Sequence, residues 1–341
     1  MLKRILVPLD GSPLAERALA VAAKLARYHD GELFLVQALP ITITYEAWIP
    51  EMVSQDFEER EREAQAYLTR QAELPMLSGI PTRTEVLSGV AASTILKAAE
   101  TMHADLIVMT SHGRTGFSHW VFGSVAEHVT RQAATPVLVL RQRRLPFWVE
   151  GAELMESPLS ASAGVTIPDL RVLVPLDGSP LAEAALEPAA SCAESLVRGV
   201  EQATGLAAGS VGCRLHLALV VRPFETLPEN MPEALVVTGA KTYLQGTAER
   251  LRASHNALLI TWEVVASDDV AQSLVKLLQG DEAEQSYTLL AMATHGRTGI
   301  MRWIWGSITE RVIHRTELPV LLVRPTADSI PASVEPDEQT Q

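Results

Sequence analysis

Two stretches of this sequence place glycine and hydroxyl residues at a spacing that suits the binding of an anion. Residues 110–113 read Thr-Ser-His-Gly, and nine residues later Gly123 and Ser124 precede an amphipathic run. Glycine lets the backbone approach an anion closely, and the first amides of a helix present unpaired N–H groups and the positive end of the helix dipole. The spacing therefore predicts a loop and a helix start that could hold a polyphosphate.

The same spacing occurs a second time. Residues 293–296 read Ala-Thr-His-Gly and precede Gly306 and Ser307 by the same interval. A purely structural interpretation is also open, because Ser124 and Glu127 fit the capping box that closes a helix start without a ligand, and the second stretch repeats that pair. The residues alone leave phosphate binding and helix capping as alternatives.

An aspartate follows the first apolar run of each half. Asp10 and Asp177 both stand in the segment Val-Pro-Leu-Asp-Gly-Ser-Pro. At the end of a strand, such a carboxylate could accept a hydrogen bond from an adenine amino group or a ribose hydroxyl. The serine and proline that follow also suit the cap and first turn of a helix, so a ligand contact and a well-capped helix are both open.

The other reactive side chains do not form a catalytic or metal-binding pattern. The Walker pattern GxxxxGK(S/T) and the dinucleotide pattern GxGxxG are absent from the sequence. His112 and His295 recur without a repeated serine and aspartate to orient them as bases, so we expect them to pack within their loops. Cys192 and Cys213 are too few for a zinc site, and we interpret both as buried thiols.

The positions of these segments define an internal repeat. Residues 5–19 recur as residues 172–186, and residues 111–141 recur as residues 294–324. The second half is longer between its two blocks, and we place most of the insertion at residues 198–212. The predicted division is domain one at 1–141, a linker at 142–169, domain two at 170–326 and a disordered tail at 327–341.

Each half alternates apolar strands with amphipathic helices. In the first half, strands are predicted at residues 5–9, 33–39, 83–87, 106–111 and 136–140, and helices at 13–28, 55–74, 91–102 and 124–133. Near-continuous apolar strands separated by such helices indicate a parallel sheet covered on both faces. The predicted fold class is α/β, with two tandem doubly wound domains that each contain a five-stranded parallel sheet flanked by helices.

Charge and hydropathy restrict the partners of this chain. The formal net charge of −13 at pH 7 opposes the binding of nucleic acid. Every apolar run ends well before the roughly 18 residues that a membrane span needs, and the N-terminus lacks a signal-type apolar stretch. We therefore expect a cytoplasmic protein with neither nucleic acid nor a membrane as its partner.

Taken together, the segment VPLDGS, the segment SHGRTG with its later Gly-Ser, and the terminal run PVLVLR resemble the universal stress protein family along nearly the whole of both halves. The resemblance implies a fold of the adenine nucleotide alpha hydrolase type. It also implies a protein that binds ATP or another adenine nucleotide, with or without magnesium, in stress response or signalling. A slow ATPase and a ligand-free interaction scaffold remain alternatives, and no catalytic or metal-ligating residue is assigned.

The same resemblance assigns site residues. Pro8 and Asp10 would border the adenine, with Ala38 nearby. The phosphates would be held by Gly113, Gly123, Ser124 and Val125. The second site would use Pro175, Asp177, Val220, Gly296, Gly306, Ser307 and Ile308. Thr110 and Ala293 occupy the position of the first glycine of the family motif, so each places a side chain where the ribose would approach.

Two further expectations concern the relation between the halves. We expect the terminal strands, residues 136–140 and 319–323, to pair with each other as an intramolecular pseudo-dimer, because the resemblance implies that each of these apolar strands lies at an edge of its sheet, where it would otherwise invite association. Whether the chain also forms a homodimer is left open. We also expect domain one to bind nucleotide more tightly, because Asp268 and Asp269 place two carboxylates near the position that Gly89 occupies in domain one.

Overall fold

The computed structural model describes residues 2–40, 50–111, 122–141, 169–222, 233–280, 287–295 and 305–325, with side chains for all of these except 50–56, 203–204 and 233–234. The strands are β1 (Arg4–Pro8), β2 (Glu32–Leu39), β3 (Thr82–Ser88), β4 (Leu106–Thr110), β5 (Val137–Leu140), β6 (Leu170–Leu176), β7 (Cys213–Val221), β8 (Leu259–Ala266), β9 (Leu289–Ala293) and β10 (Val320–Val323). The helices are α1 (Pro13–Tyr28), α2 (Pro50–Ala72), α3 (Ala91–Thr101), α4 (Ser124–Gln132), α5 (Pro180–Glu183), α6 (Leu186–Thr204), α7 (Glu233–Ser254), α8 (Val270–Gln279) and α9 (Ser307–Arg315), and Pro75–Leu77 forms a short 3-10 helix.

The ten strands form one sheet in the order β3-β2-β1-β4-β5-β10-β9-β6-β7-β8. Within each half, all neighbouring strands pair in parallel. Helices α1, α2, α6 and α7 contribute to the core on one face, and α3, α4, α8 and α9 to the core on the other. The predicted fold class, doubly wound α/β with five parallel strands in each half, is confirmed.

The two five-stranded sheets join along the antiparallel pair of β5 and β10. Leu138 lies opposite Leu321 at the centre of this pair, and Val139 lies opposite Val320. Leu138 and Leu321 occupy equivalent positions of the repeat, so the pairing is symmetric about them, and both are fully buried. The predicted pairing of the terminal strands is confirmed, and it leaves neither strand as an exposed sheet edge.

Aromatic and cationic side chains pack beside this seam. Phe122 and Trp305 occupy equivalent positions in the two halves and meet edge to face, with ring centres 5.3 Å apart. Arg131 lies over Trp305 and Arg141 over Phe122, each 4.8 Å from the ring centre. Both aromatic residues are only 3% exposed, so they form part of the core between the halves.

Each half also caps a helix of the other half. The Arg141 guanidinium donates to the Ile313 carbonyl near the end of α9, and Arg324 donates to the Gln132 carbonyl at the end of α4 at 3.0 Å. Cations are favourable there because the last carbonyls of a helix lack intrahelical donors. Burial lowers the pKa of Arg141 to about 10, but the side chain stays charged at neutral pH. The two helices that begin at the candidate phosphate loops are therefore both anchored across the seam.

Two segments differ from the sequence prediction by more than two residues. Helix α2 begins at Pro50 rather than at residue 55. The insertion at residues 198–212, expected to be a loop, is helical in its first part, because α6 extends into it before Gly205 adopts a left-handed φ of 68°. Glu201 of α6 then accepts a hydrogen bond from the Gly209 amide at 2.7 Å. This bond ties the shorter remaining loop back to the helix.

Some expectations fall on parts of the chain that are not described. The predicted linker, apart from Asp169, and the predicted tail at 327–341 lie outside the described residues. None of the helices in the described ranges is long and apolar enough to cross a membrane.

Both cysteines are buried thiols, as predicted. Cys192 in α6 is fully buried and Cys213 at the start of β7 is 7% exposed, and neither forms a disulfide. Burial raises the pKa of Cys192 to about 12 and raises the pKa of Cys213 as well. Neither thiol is therefore ionised at neutral pH, which makes both poor nucleophiles.

His255 follows α7 and lies between two carboxylates of α6. Its Nδ1 is 3.1 Å from Glu194 and its Nε2 is 3.0 Å from Glu187. Two carboxylate partners require both ring nitrogens to carry protons. Burial lowers the pKa of His255, but the hydrogen bonds and charges of Glu187 and Glu194 together outweigh it, so the pKa lies above the ordinary value of 6.5.

We therefore expect protonated His255 to stabilise the fold. Because its folded-state pKa is raised, this stabilisation is complete below about pH 6.5 and is lost as the pH rises through the folded-state value. Thermal unfolding of the wild type and of His255→Gln, between about pH 5.5 and pH 8.5, should show a stability difference that shrinks as the pH rises. A difference that does not change with pH would contradict this expectation.

Candidate functional site

A cavity of about 640 Å³ opens at the carboxyl edge of the second half's sheet. It lies where the ends of β6, β7 and β9 meet the starts of α5 and α9, the edge at which open α/β sheets bind ligands. Its volume is within the range of about 300–1,000 Å³ that is usual for small-molecule sites. The described residues that the sequence assigned to the second site all line it: Pro175, Asp177, Val220, Ala293, Gly306, Ser307 and Ile308. Gly296 lies outside the described residues.

Helix α9 begins at this cavity without a side-chain cap. Its N-cap residue is Gly306, and Ser307 occupies the first helical position. The Gly306 amide donates to the Thr294 carbonyl at 2.9 Å, which ties the helix start to the end of β9. The amides of a first helical turn have no acceptor within the helix. Since Gly306, Ser307 and Ile308 line the cavity, an anion placed there could accept hydrogen bonds from this turn.

The capping-box interpretation of the two serines is wrong. A capping box needs serine at the N-cap, but Gly123 and Gly306 are the N-caps of α4 and α9, and neither helix has a side-chain cap. Ser124 and Ser307 each lie one position further into the helix. Helix α1, by contrast, is capped by the Ser12 hydroxyl. Helices α4 and α9 thus lack the side-chain cap that the sequence suggested.

Asp10 and Asp177 order the loops in which they stand. In each half, the aspartate Oδ1 accepts from the amide of the serine two residues later at 2.9 Å and from its hydroxyl at 2.6 Å. The same serine, Ser12 or Ser179, then caps the following helix. The aspartate therefore has a structural role in both loops. Asp177 also lines the cavity, so the structural role and a ligand contact are compatible.

The first half places its assigned residues at the corresponding positions. The Gly123 amide donates to the Ser111 carbonyl at 2.8 Å, which repeats the tie seen in the second half. Gly113 and His112 lie outside the described residues. The remaining assigned residues lie at or near the ends of β1, β2 and β4 and at the start of α4: Pro8, Asp10, Ala38, Thr110, Gly123, Ser124 and Val125.

The sequence analysis missed a repeated pair of tyrosine and glutamate. Tyr67 of α2 donates to Glu16 of α1 at 3.1 Å, and Tyr243 of α7 lines the cavity beside Glu183 of α5. Burial, followed by the charge of the neighbouring glutamate, raises the pKa of both tyrosines. The Tyr243 hydroxyl oxygen is buried and has no hydrogen-bond partner among the described residues. Two repeated segments together could have identified the pair: Pro-Leu-Ala-Glu, which ends at Glu16 and Glu183, and Tyr-Leu-x-x-x-Ala-Glu, which begins at Tyr67 and Tyr243.

Two further side chains add polar groups to the cavity wall. His295 lines the cavity; its Nδ1 is 3.0 Å from the Thr294 hydroxyl, and its buried Nε2 has no hydrogen-bond partner within the described ranges. The histidine therefore contributes to the cavity wall as well as packing within its loop. Arg222 brings a positive charge to the end of β7, where the first half has Pro40 after β2. Both groups lie where they could approach a bound anion.

One of the two carboxylates behind the expected weaker second site is paired in the structure. Asp269 caps α8 by accepting from the Gln272 amide at 3.0 Å, and its other oxygen lies 2.6 Å from Arg311. The hydrogen bond from Arg311 lowers the pKa of Asp269. Neither Asp268 nor Asp269 lines the cavity. The charge of Asp269 is thus paired with a local cation, which reduces its share of the expected repulsion, and the tighter binding by domain one stays a prediction.

Comparison with known proteins gives matches to both halves. The model of the universal stress protein family matches residues 1–141 and 170–324. A universal stress protein from Methanocaldococcus jannaschii is 34% identical over 145 residues, which cover 41% of this chain and 82% of the relative. One from Mycobacterium tuberculosis is 25% identical over 346 residues, which cover 96% of this chain and 97% of the relative. The crystal structure of a universal stress protein from Archaeoglobus fulgidus covers 95% of this chain and 99% of that chain at 20% identity, with a TM-score of 0.61.

Proposed function

Because the chain belongs to the universal stress protein family, we propose that it is a binding protein for ATP or another adenine nucleotide, held at the carboxyl edge of its sheet. The role that fits this activity is a cytoplasmic one in stress response or signalling. The single observation that carries the proposal is the start of α9, which has a glycine N-cap, no side-chain cap and direct access to a cavity of about 640 Å³.

The cavity is lined by both polar and apolar residues, which suits a nucleotide. Phosphates at the start of α9 would receive N–H donors from the first helical turn, with His295 also in the wall. The base would then lie towards the ends of β6 and β7, between Pro175 and Val220. Asp177 would accept a hydrogen bond from an exocyclic amino group, since a carboxylate has about four acceptor positions.

Magnesium would enter with the nucleotide rather than occupy a dedicated protein cage. In the described wall of the cavity, Asp177 is the only carboxylate, whereas magnesium is commonly held by one or two carboxylates together with substrate phosphates and water. The described wall therefore fits a magnesium ion that is bound mainly by the phosphates.

We further propose that the seam of β5 and β10 gives one chain the arrangement that two single-domain relatives would reach by dimerising. The support is the symmetry of the contact, because Leu138 and Leu321 are equivalent residues that lie directly opposite each other. A contact of equivalent residues with each other is the pattern of a twofold dimer interface.

The proposed function is tested by calorimetric titration of the full chain with ATP, ADP and AMP, with and without magnesium. We expect affinity to fall in the order ATP, ADP, AMP, because each lost phosphate removes an acceptor for the first turn of α9. Equal affinities for the three nucleotides would argue against phosphate recognition, and no binding of ATP would refute the proposed function. Measurement of released phosphate during the titration separates binding from slow hydrolysis.

A further inference from the structure

The cavity of the second half reaches both faces of the sheet. Leu219 and Val220 are successive residues of β7 and therefore point to opposite faces, yet both line the cavity. Leu219 belongs to the same core cluster as Ala240 and Tyr243, whereas Val220 belongs to the cluster on the other face. The cavity thus has one lobe beside α9 and a second lobe beneath α7.

The lobe beneath α7, here called the α7 lobe, is formed by Leu219 and one face of that helix. Val236, Gly239, Ala240 and Tyr243 follow one another at spacings of three, one and three residues, which place them on one helix face, and all four line the cavity. A Cβ atom built at Gly239 meets no atom within 4 Å. Gly239 is itself exposed, so the lobe opens to solvent there, and its wall is apolar apart from the Tyr243 hydroxyl.

The first half differs at the corresponding positions. When the two helices are aligned on their tyrosines, α2 has Arg60 and Glu63 where α7 has valine and glycine. Strand β2 has Gln37, which is buried, where β7 has Leu219. The two halves share the same strand order and helix arrangement, so this fold does not require the apolar wall. The difference therefore points to a difference in ligand.

We propose that the second half binds an adenine nucleotide whose exocyclic N6 amino group carries an apolar substituent, and that the α7 lobe receives this substituent. The proposal rests on the nucleotide-binding function proposed above. Phosphates at the start of α9 direct the base towards the ends of β6 and β7, and the α7 lobe continues from those ends. A singly substituted amino group keeps one N–H for Asp177, while the substituent meets Leu219 and Ala240.

The chemistry of the lobe selects an apolar group over a polar one. A polar substituent would lose its water and find one described partner in the wall, the Tyr243 hydroxyl, and a buried polar group without partners is unfavourable. An alkyl or aryl group instead gains affinity in proportion to the apolar area removed from water. Unsubstituted ATP would leave the apolar wall of the α7 lobe exposed to water.

The test compares ATP with N6-benzyl-ATP by two-site calorimetric titration of the full chain. We expect the second site to bind N6-benzyl-ATP about ten- to a hundredfold more tightly than ATP. Gly239→Leu adds a bulky side chain where the lobe opens to solvent, which should obstruct entry of the substituent and abolish this preference, while the ATP affinity stays within about twofold. The variant should fold, because the space beside Gly239 is open and leucine favours helices more than glycine does.

Matched variants distinguish an effect of the lobe on nucleotide affinity from a general effect of the substitution on helix α7. Gly239→Ala adds only one methyl group and should keep the preference for N6-benzyl-ATP, as should Glu63→Leu at the corresponding position of the first half. Equal affinities of the wild type for the two nucleotides, or an equal loss of both in Gly239→Leu, would overturn the assignment of the lobe. Failure of the wild type to bind ATP at all would instead refute the nucleotide-binding function, so the two failures are distinguishable.

Discussion

Replacing Gly306 with valine is expected to weaken nucleotide binding at the second site by about ten- to a hundredfold. The valine side chain would stand where phosphates approach the first turn of α9, and a hydrogen bond to a charged group contributes about 1.5–3 kcal/mol. The fold should persist, because a Cβ at Gly306 meets its nearest atom, the Thr294 carbonyl oxygen, at 3.4 Å, and the backbone φ is −58°. Both values are ordinary for a residue with a side chain.

Calorimetric titration of the full chain with ATP checks this result. Gly246→Val is the matched control, because Gly246 lies in α7 with no atom within 4 Å of its Cβ position and does not line the cavity. We expect that control to keep the wild-type affinity, and Gly306→Ala to give an intermediate loss. A Gly306→Val protein that binds ATP as tightly as the wild type would exclude the start of α9 as the phosphate site.

Truncating Leu321 to alanine is expected to lower the free energy of unfolding by about 2–5 kcal/mol, which is the usual cost of such a truncation in a core. Leu321 is fully buried at the centre of the β5–β10 pair, where the partner strand and helices from both halves leave little room to collapse. Denaturant unfolding followed by circular dichroism measures the change. Leu259→Ala is the matched control, because Leu259 is 55% exposed, and it should cost less than about 0.5 kcal/mol.

The double variant tests whether the two halves share one core at the seam. Leu138 and Leu321 lie directly opposite each other, so the second truncation removes part of a contact that the first has already lost. Leu138→Ala with Leu321→Ala should therefore cost less than the sum of the two single variants. Strict additivity would show that the two leucines do not interact, contrary to the register of β5 and β10.

Helix α9 connects the second candidate site to the seam. Its N-terminus, at Gly306, opens into the cavity, and Arg141 of the first half donates to the Ile313 carbonyl near its C-terminus. The helix that offers donors to an anion is thus held at its other end by the opposite half. Helix α4 has the reciprocal contact from Arg324 to Gln132, so the seam supports the starting helix of both candidate sites.

The sequence by itself determined the repeat, the order of strands and helices, and the fold class. These depend on local patterns, because an apolar run flanked by turn residues and amphipathic helices predicts a buried parallel strand wherever it occurs. The burial of Cys192 and Cys213 and the pairing of β5 with β10 also followed from the sequence. The glycine spacing identified the residues at the carboxyl edge, since loops that follow parallel strands meet at that edge.

Only the tertiary structure decided how those residues act. Ser307 fits a capping box in the sequence, but the bond from the Gly306 amide to the Thr294 carbonyl sets the helix start one residue earlier. Asp269 is one of two adjacent carboxylates in the sequence, but only the structure shows that it pairs with Arg311, 42 residues away. Tyr243 enters the cavity wall because α7 packs over β7. Each of these contacts joins residues from separate elements, and the pattern within one element does not specify which atoms of another element will lie beside it.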